Sequence, residues 1–168
     1  MSNAKTAPAP SVISTAAWVA FGLAVLGLAV SGYLTYEHFT DSKTLACSGN
    51  GAIDCLKVTT SRWSKIAGVP VALGGLLYYV AMVVLCAPLR RIQRLGVDLG
   101  LIRVIAAGIG VVMILWLIYV ELFKVEAICL WCTGVHVITL LLLGAVIWWR
   151  EADRLSRPVL GPQIRARR

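Results

Sequence analysis

Residues 127–149 read AICLWCTGVHVITLLLLGAVIWW, 23 positions without Asp, Glu, Lys or Arg. The run opens on a C-x-x-C motif and closes on Trp148 and Trp149 beside Arg150. A helix that crosses the hydrocarbon core of a bilayer needs about 20 apolar residues. Tryptophan next to arginine is an interfacial anchor. The stretch therefore reads as a transmembrane helix with two cysteines at its start. Three charge-free runs precede it, 6–36, 66–89 and 104–120, of 31, 24 and 17 residues. The first is longer than a span because Pro8, Pro10 and polar residues at its start read as a tail. The third is extended if Arg103 snorkels to the interface. The pattern predicts an all-α integral membrane protein, a four-helix bundle with spans at about 15–36, 69–89, 101–122 and 131–149.

Composition agrees. Of 168 residues, 59% are hydrophobic and only 14% charged, where a soluble domain carries about 25% charged. Mean hydropathy is +0.82. These values exclude a disordered chain, a collagen-like chain and a conventional water-soluble enzyme core. The net charge of +8 would suit nucleic acid only if the basic residues covered a solvated face. Instead 11 of them (Lys5, Arg90, Arg91, Arg94, Arg103, Arg150, Arg154, Arg157, Arg165, Arg167 and Arg168) fall in the two termini and the middle connection. The other 5, Lys43, Lys57, Arg62, Lys65 and Lys124, fall in the first and third connections. The positive-inside rule then puts both termini in the cytoplasm of a multi-pass protein of the cell membrane. Topology and anionic lipid account for the basic excess, and no nucleic-acid partner is expected. A cleaved signal peptide is the alternative for the first run, but its apolar part exceeds the usual length of about 7–15 residues. The domain reading is a cytoplasmic tail at 1–14, a membrane domain at 15–149 with an outer loop at about 37–68, and a basic cytoplasmic tail at 150–168.

The five cysteines sharpen this. Cys47 and Cys55 fall in the outer loop, and Cys129 and Cys132 at the outer start of the last helix. Only Cys86 falls on the cytoplasmic side, where it reads as an inert buried thiol. Four of five thus lie on the side where disulfides persist. In Cys129-Leu130-Trp131-Cys132 the two sulfurs share one helical face, and a helix N-terminus stabilises a thiolate. So short a ring suits a redox couple better than a structural staple. Two other readings remain open. Cys129, Cys132 and His136 lie on one stripe, which with a loop cysteine could hold zinc; two inert disulfides are the other. Between Cys47 and Cys55, the residues Ser48, Gly49, Asn50 and Gly51 make a flexible turn. A mobile loop disulfide could exchange with an aqueous partner and then with the embedded couple. The acceptor at bilayer depth would then be lipid-soluble, and a quinone fits.

The stretch Cys55-Leu-Lys-Val-Thr-Thr-Ser61-Arg-Trp63, then Gly68-Val-Pro70 with Gly74 and Tyr78, together with the Cys47–Cys55 loop pair and the CLWC motif, resembles the vitamin K epoxide reductase family. The match runs from the first span to the fourth. The resemblance implies a four-helix bundle around a quinone, capped by an extracytoplasmic loop that contains a half-helix. It implies that Cys47 faces the redox partner, Cys55 shuttles to Cys129, Cys132 stands next to the quinone, and Ser61 supports the half-helix. Pro70 stands where animal members carry an Asn that bonds the quinone, and His136 where they carry a Tyr. The quinone's hydrogen-bond donor is thus open, with vitamin K epoxide reductase-type chemistry proper as an alternative. Many bacterial members carry a fused thioredoxin-like domain. Since about 19 residues follow the last span, a separate extracytoplasmic thioredoxin-like protein is expected.

The function expected from the sequence is therefore a membrane thiol:quinone oxidoreductase that reoxidises a disulfide-forming protein. Its quinone is of menaquinone, ubiquinone or phylloquinone type, and no metal is expected. The rivals are a small Cys/His metal-binding membrane protein and a scaffold with inert disulfides. His136, Trp63 and Trp131 are the candidate quinone contacts; the plainer readings are a core histidine, a loop anchor and a belt aromatic. Gly27 with Ser31, and Ala106 with Gly110, have the spacing of close helix packing.

Overall fold

The computed structural model describes residues 10–40, 47, 53–66, 68–87 and 98–156. The turn expected at Ser48–Gly51, the tail before Pro10, the basic connection at Arg90–Arg94 and the terminal arginines from Arg157 onward lie outside the described residues. The chain is mostly helical. Helix α1 spans Pro10–Thr40, α2 Cys55–Thr60, α3 Val71–Cys86, α4 Leu99–Val120 and α5 Leu130–Ser156. A single 3₁₀ turn follows α2 at Arg62–Ser64, and a two-stranded antiparallel ribbon pairs β1, Lys65–Ile66, with β2, Val69–Pro70.

Three helical segments are long and apolar enough to cross a membrane: Val12–Thr40, Leu99–Val125 and Leu130–Ser156. The fourth apolar helix, α3, has 16 residues, shorter than the expected 69–89. Proline sets both of its ends. Pro70 precedes its first turn while still paired in β2. At the other end Ala87, the residue before Pro88, sits at ψ 131°, because a proline ring pushes its predecessor out of the helical region. Helix α1 begins at Pro10, earlier than the expected span at about 15–36, since proline is tolerated in a first turn where no amide partner is required. Helix α4 begins on Asp98, whose carboxylate accepts the Leu101 amide at 3.0 Å.

Helix α1 packs against α3 and α5, and α4 packs against α5 and α3. The seam is built from small residues on α1, Ala16, Ala20 and Ala24, against Tyr79, Met82, Leu142 and Val146. A side chain at Gly27 would collide with the Tyr79 ring, and one at Gly110 with the Tyr78 hydroxyl. Both small-residue positions thus receive a tyrosine of α3 rather than bare backbone. The outward faces carry large apolar side chains, among them Trp18, Leu77, Ile109, Val112, Leu115 and Leu141. Exposed apolar surface on every long helix is a surface made for lipid.

The two ends of the helices differ in chemistry. At the end where α3 stops and α4 starts, Arg103 is buried rather than snorkelling outward. Its Nε donates to the Leu85 carbonyl at 2.7 Å, and its guanidinium lies 3.9 Å from the centre of the Trp149 ring. It satisfies an orphan carbonyl at the end of α3, which is why it turns inward. Arg150 pairs with Asp98 at 3.7 Å. The opposite end holds the cysteines.

Candidate redox site

Cys129 precedes α5 and caps it: its sulfur accepts the Cys132 amide at 3.3 Å, and its carbonyl accepts the Thr133 amide at 2.8 Å. A side chain accepting from the third helical residue is the usual N-cap bond, here made by sulfur. The Cys132 thiol donates to the Cys129 sulfur at 2.7 Å. That bond, and the backbone amide behind it, favour charge on Cys129 and hold its thiol below the usual cysteine range, although burial opposes this. The positive end of the α5 dipole acts in the same sense.

Cys47 and Cys55 form a disulfide with Cα atoms 5.7 Å apart, while Cys129 and Cys132 are free thiols. Cys55 opens α2 behind Asp54, whose carboxylate accepts the Lys57 amide at 2.9 Å. The same residue fastens the loop to the last helix, because its amide donates to the Ile128 carbonyl at 3.1 Å beside a parallel bridge between Ile53 and Ile128. This register places Cys55 and Cys129 just beyond the bridge. Cys47, Cys55 and Cys129 accordingly form one buried cluster, with Val58, Trp131 and Cys132 packed on it. At the far end of α2, the Ser61 hydroxyl and amide both donate to the Val58 carbonyl, at 2.9 and 3.3 Å.

Below the cluster lies a cavity of about 520 Å³ with predominantly apolar walls. Its lining includes Cys132 and His136 of α5, Tyr78 of α3, Glu121 at the end of α4, and Ser61 and Trp63 of the loop. Trp63 also packs beside Val120, Val125 and Ala127, with Arg62 4.8 Å over its ring. Trp131 is absent from the cavity wall; it packs on Tyr33 at 4.9 Å between ring centres and on the cysteine cluster. Pro70 and His38 line the cavity as well. Cys86 is buried in the helix core away from it. Among the described residues, no three of His, Cys, Asp and Glu stand close enough together to hold a metal ion.

Two lining residues carry chemistry that sequence reading did not assign. The Tyr78 hydroxyl is buried and without a hydrogen-bond partner, whereas Tyr79 spends its own on Thr139 at 2.8 Å. Glu121 is a carboxyl 6% exposed in the cavity wall. Its position at the edge of a charge-free run made it look like the end of a span.

A mostly helical chain with three helices long and apolar enough to cross a membrane is a membrane protein by class, and it carries two neighbouring cysteine pairs at one end. The chain belongs to the vitamin K epoxide reductase family, whose sequence profile matches residues 18–147. Members of that family are oxidoreductases that use quinones, and both cysteine pairs fit that chemistry.

Proposed function

We propose that this protein is a membrane thiol:quinone oxidoreductase that takes electrons from a separate extracytoplasmic thioredoxin-like protein and passes them through Cys47 and Cys55, then Cys129 and Cys132, to a quinone held in the cavity. One observation carries this reading. Cys132 lines the cavity and bonds to Cys129, which shares a buried cluster with the loop disulfide. A single pair therefore touches both the loop couple and the apolar chamber.

The cavity fits a quinone ring. A volume of about 520 Å³ is in the range of small-ligand sites, about 300–1,000 Å³, that are apolar with a few placed polar groups. The unpartnered Tyr78 hydroxyl and His136 are such groups. In this reading α1, α3, α4 and α5 form the four-helix membrane domain within residues 15–149, with the loop at about 37–68 capping it outside and the segments 1–14 and 150–168 in the cytoplasm. Ser61 ties off α2, and Trp63 lines the chamber from the loop as His136 does from α5.

The thiol steps of this reading take the cysteine roles that the family resemblance implies. A reduced partner opens the Cys47–Cys55 disulfide through attack on Cys47, and its second thiol then resolves this mixed disulfide, so that the partner leaves oxidised and Cys47 and Cys55 are both thiols. The Cys55 thiolate then attacks Cys129 of an oxidised helix pair, freeing Cys132. Cys47 next attacks Cys55 and expels Cys129, a leaving group favoured by its low proton affinity. Cys132 then gives up two electrons to the quinone and closes its bond with Cys129.

The test is whether detergent-purified protein forms quinol from an added short-chain quinone at the expense of a reduced thioredoxin-like dithiol. Wild-type protein should do so, and Cys132→Ala should not. Quinol formation equal in both would end this reading. His136→Ala should weaken quinone affinity; unchanged affinity and turnover would reduce the histidine to packing.

A further inference from the structure

Glu121 is out of place for a structural residue. It is buried at a depth where a carboxylate is costly and is found chiefly at functional positions. No basic side chain compensates it among the described residues: the ion pairs there are Arg150 with Asp98 and Arg154 with Glu151. Lys124, one turn away, instead reaches toward the Tyr119 ring at 6.0 Å. What Glu121 does share is the cavity wall with the Cys132 thiol.

The backbone holds it there. Residues Glu121–Val125 form a π turn at the end of α4, and Glu126 follows in the left-handed conformation at φ 53°. The Glu121 carbonyl accepts the amides of both Glu126 and Ala127, the latter at 3.2 Å. Single π turns interrupt helices mostly at functional sites, because the extra residue re-aims a side chain. Here Glu121 lines the cavity together with Cys132.

We propose that Glu121 is the proton carrier of the cavity, taking the proton of the Cys132 thiol and delivering it to the quinone oxygen; this deepens the thiol:quinone reading and rests on it. The balance closes. Joining the Cys129 and Cys132 sulfurs breaks two S–H bonds, forms one S–S bond and releases two electrons and two protons. Reduction of a quinone to its quinol consumes two of each. The Glu121 carboxylate accepts the Cys132 proton as the S–S bond forms, and the resulting acid donates it to one quinone oxygen. The Cys129 proton enters the water at the loop end, from which the second oxygen draws its own. Cys132 lines the same cavity and is hydrogen-bonded to Cys129. His136 of α5, Tyr78 of α3 and His38 of α1 share its cavity.

Glu121→Gln keeps the shape and removes the proton transfer. Reduced protein mixed with a short-chain naphthoquinone should oxidise its Cys129–Cys132 pair about 100-fold more slowly in the variant, a loss typical of a missing general acid–base group. Glu121→Asp should recover at least about a tenth of the wild-type rate, since its carboxyl can still move a proton. Reduction of the Cys47–Cys55 bond by dithiothreitol, which does not involve the cavity, serves as the check that the variants are folded. A second readout needs no quinone. The infrared difference spectrum between the chemically oxidised and reduced helix pair should contain a carboxyl band in wild type that is missing from Glu121→Gln. A wild-type rate in Glu121→Gln, equal slowing in Gln and Asp variants, or a carboxyl band that survives in the Gln variant would each overturn the assignment. Wild-type protein that makes no quinol at all would overturn the underlying function; quinol made equally by wild type and Glu121→Gln would overturn the role of Glu121 alone.

Discussion

The Asp54 amide donates to the Ile128 carbonyl at 3.1 Å, so the residue before Cys55 is fastened to the residue before Cys129. One backbone bond thereby sets the register between the loop couple and the helix couple. Disulfide formation requires Cα separations of roughly 4.4–6.8 Å, and a long free loop would meet this rarely. The bridge between Ile53 and Ile128 lowers that cost by holding the two segments in one cluster.

The proposed relay order makes use of this contact and can be tested by trapping. In Cys132→Ala the Cys129 thiolate attacks Cys55, releases Cys47, and has no neighbour to resolve the bond. A Cys55–Cys129 disulfide should accumulate when Cys47 is alkylated. In Cys55→Ala the Cys47 thiolate, given the oxidised partner, should open the partner's disulfide and hold it as a mixed disulfide. Non-reducing peptide mapping reads both. A Cys47–Cys129 bond in the first variant, with the partner held on Cys55 in Cys47→Ala, would reverse the roles of the two loop cysteines.

Topology gives a second expectation. With 11 basic residues on one side and 5 on the other, the cysteine cluster should face outward and Cys86 inward. After mild reduction, a membrane-impermeant maleimide applied to intact cells should reach the cluster and spare Cys86. Labelling of Cys86 with none of the other four would invert the orientation.

Much of this architecture was legible from residue order. The charge-free runs located the apolar helices, and the C-x-x-C motif with its helix start located Cys129 and Cys132. The ends of helices were less legible. Proline at positions 70 and 88 shortened α3, an effect that hydropathy alone cannot register. Charges were read as boundaries, and that rule failed where a charge is buried for a reason. Arg103 turns inward to the Leu85 carbonyl, and Glu121 is buried in the cavity wall. Trp131 was read toward the quinone because it sits inside the motif, but adjacent helix positions point about 100° apart, and it faces Tyr33 instead. The unpartnered hydroxyl of Tyr78 is a tertiary property and leaves no trace in sequence.

Packing along α1 offers a stability test. Tyr79 fills the space beside Gly27 while its hydroxyl bonds Thr139 at 2.8 Å. Gly27→Ala should therefore displace the ring and destabilise the helix assembly by about 1–3 kcal/mol, the range for overpacking a filled core. Tyr79→Phe should cost less, about 1 kcal/mol, through the lost hydrogen bond. Thermal unfolding in detergent should rank the variants in that order. A Gly27→Ala protein as stable as wild type would mean that α1 and α3 part easily at this point.

The acidity of Cys129 makes the last expectation. Its thiolate is favoured first by the Cys132 thiol donor, then by the Cys132 amide and the start of α5, against the opposing effect of burial. The ultraviolet absorbance lost on replacing Cys129 with Ser, measured in the reduced protein, should titrate below the range of an ordinary cysteine. Cys132→Ala deletes the strongest donor and leaves the amide, so the midpoint should move upward. The sign of the stability effect is fixed by the same shift. A group whose folded value is depressed stabilises the folded state above its unfolded value, and that contribution is lost as pH falls through the folded one. Reduced wild type should therefore gain stability relative to Cys129→Ser as pH rises toward the usual cysteine range, and lose the advantage on acidification. If the Cys129 midpoint were the same with and without Cys132, the bond between the two sulfurs would not be what primes Cys129 to leave.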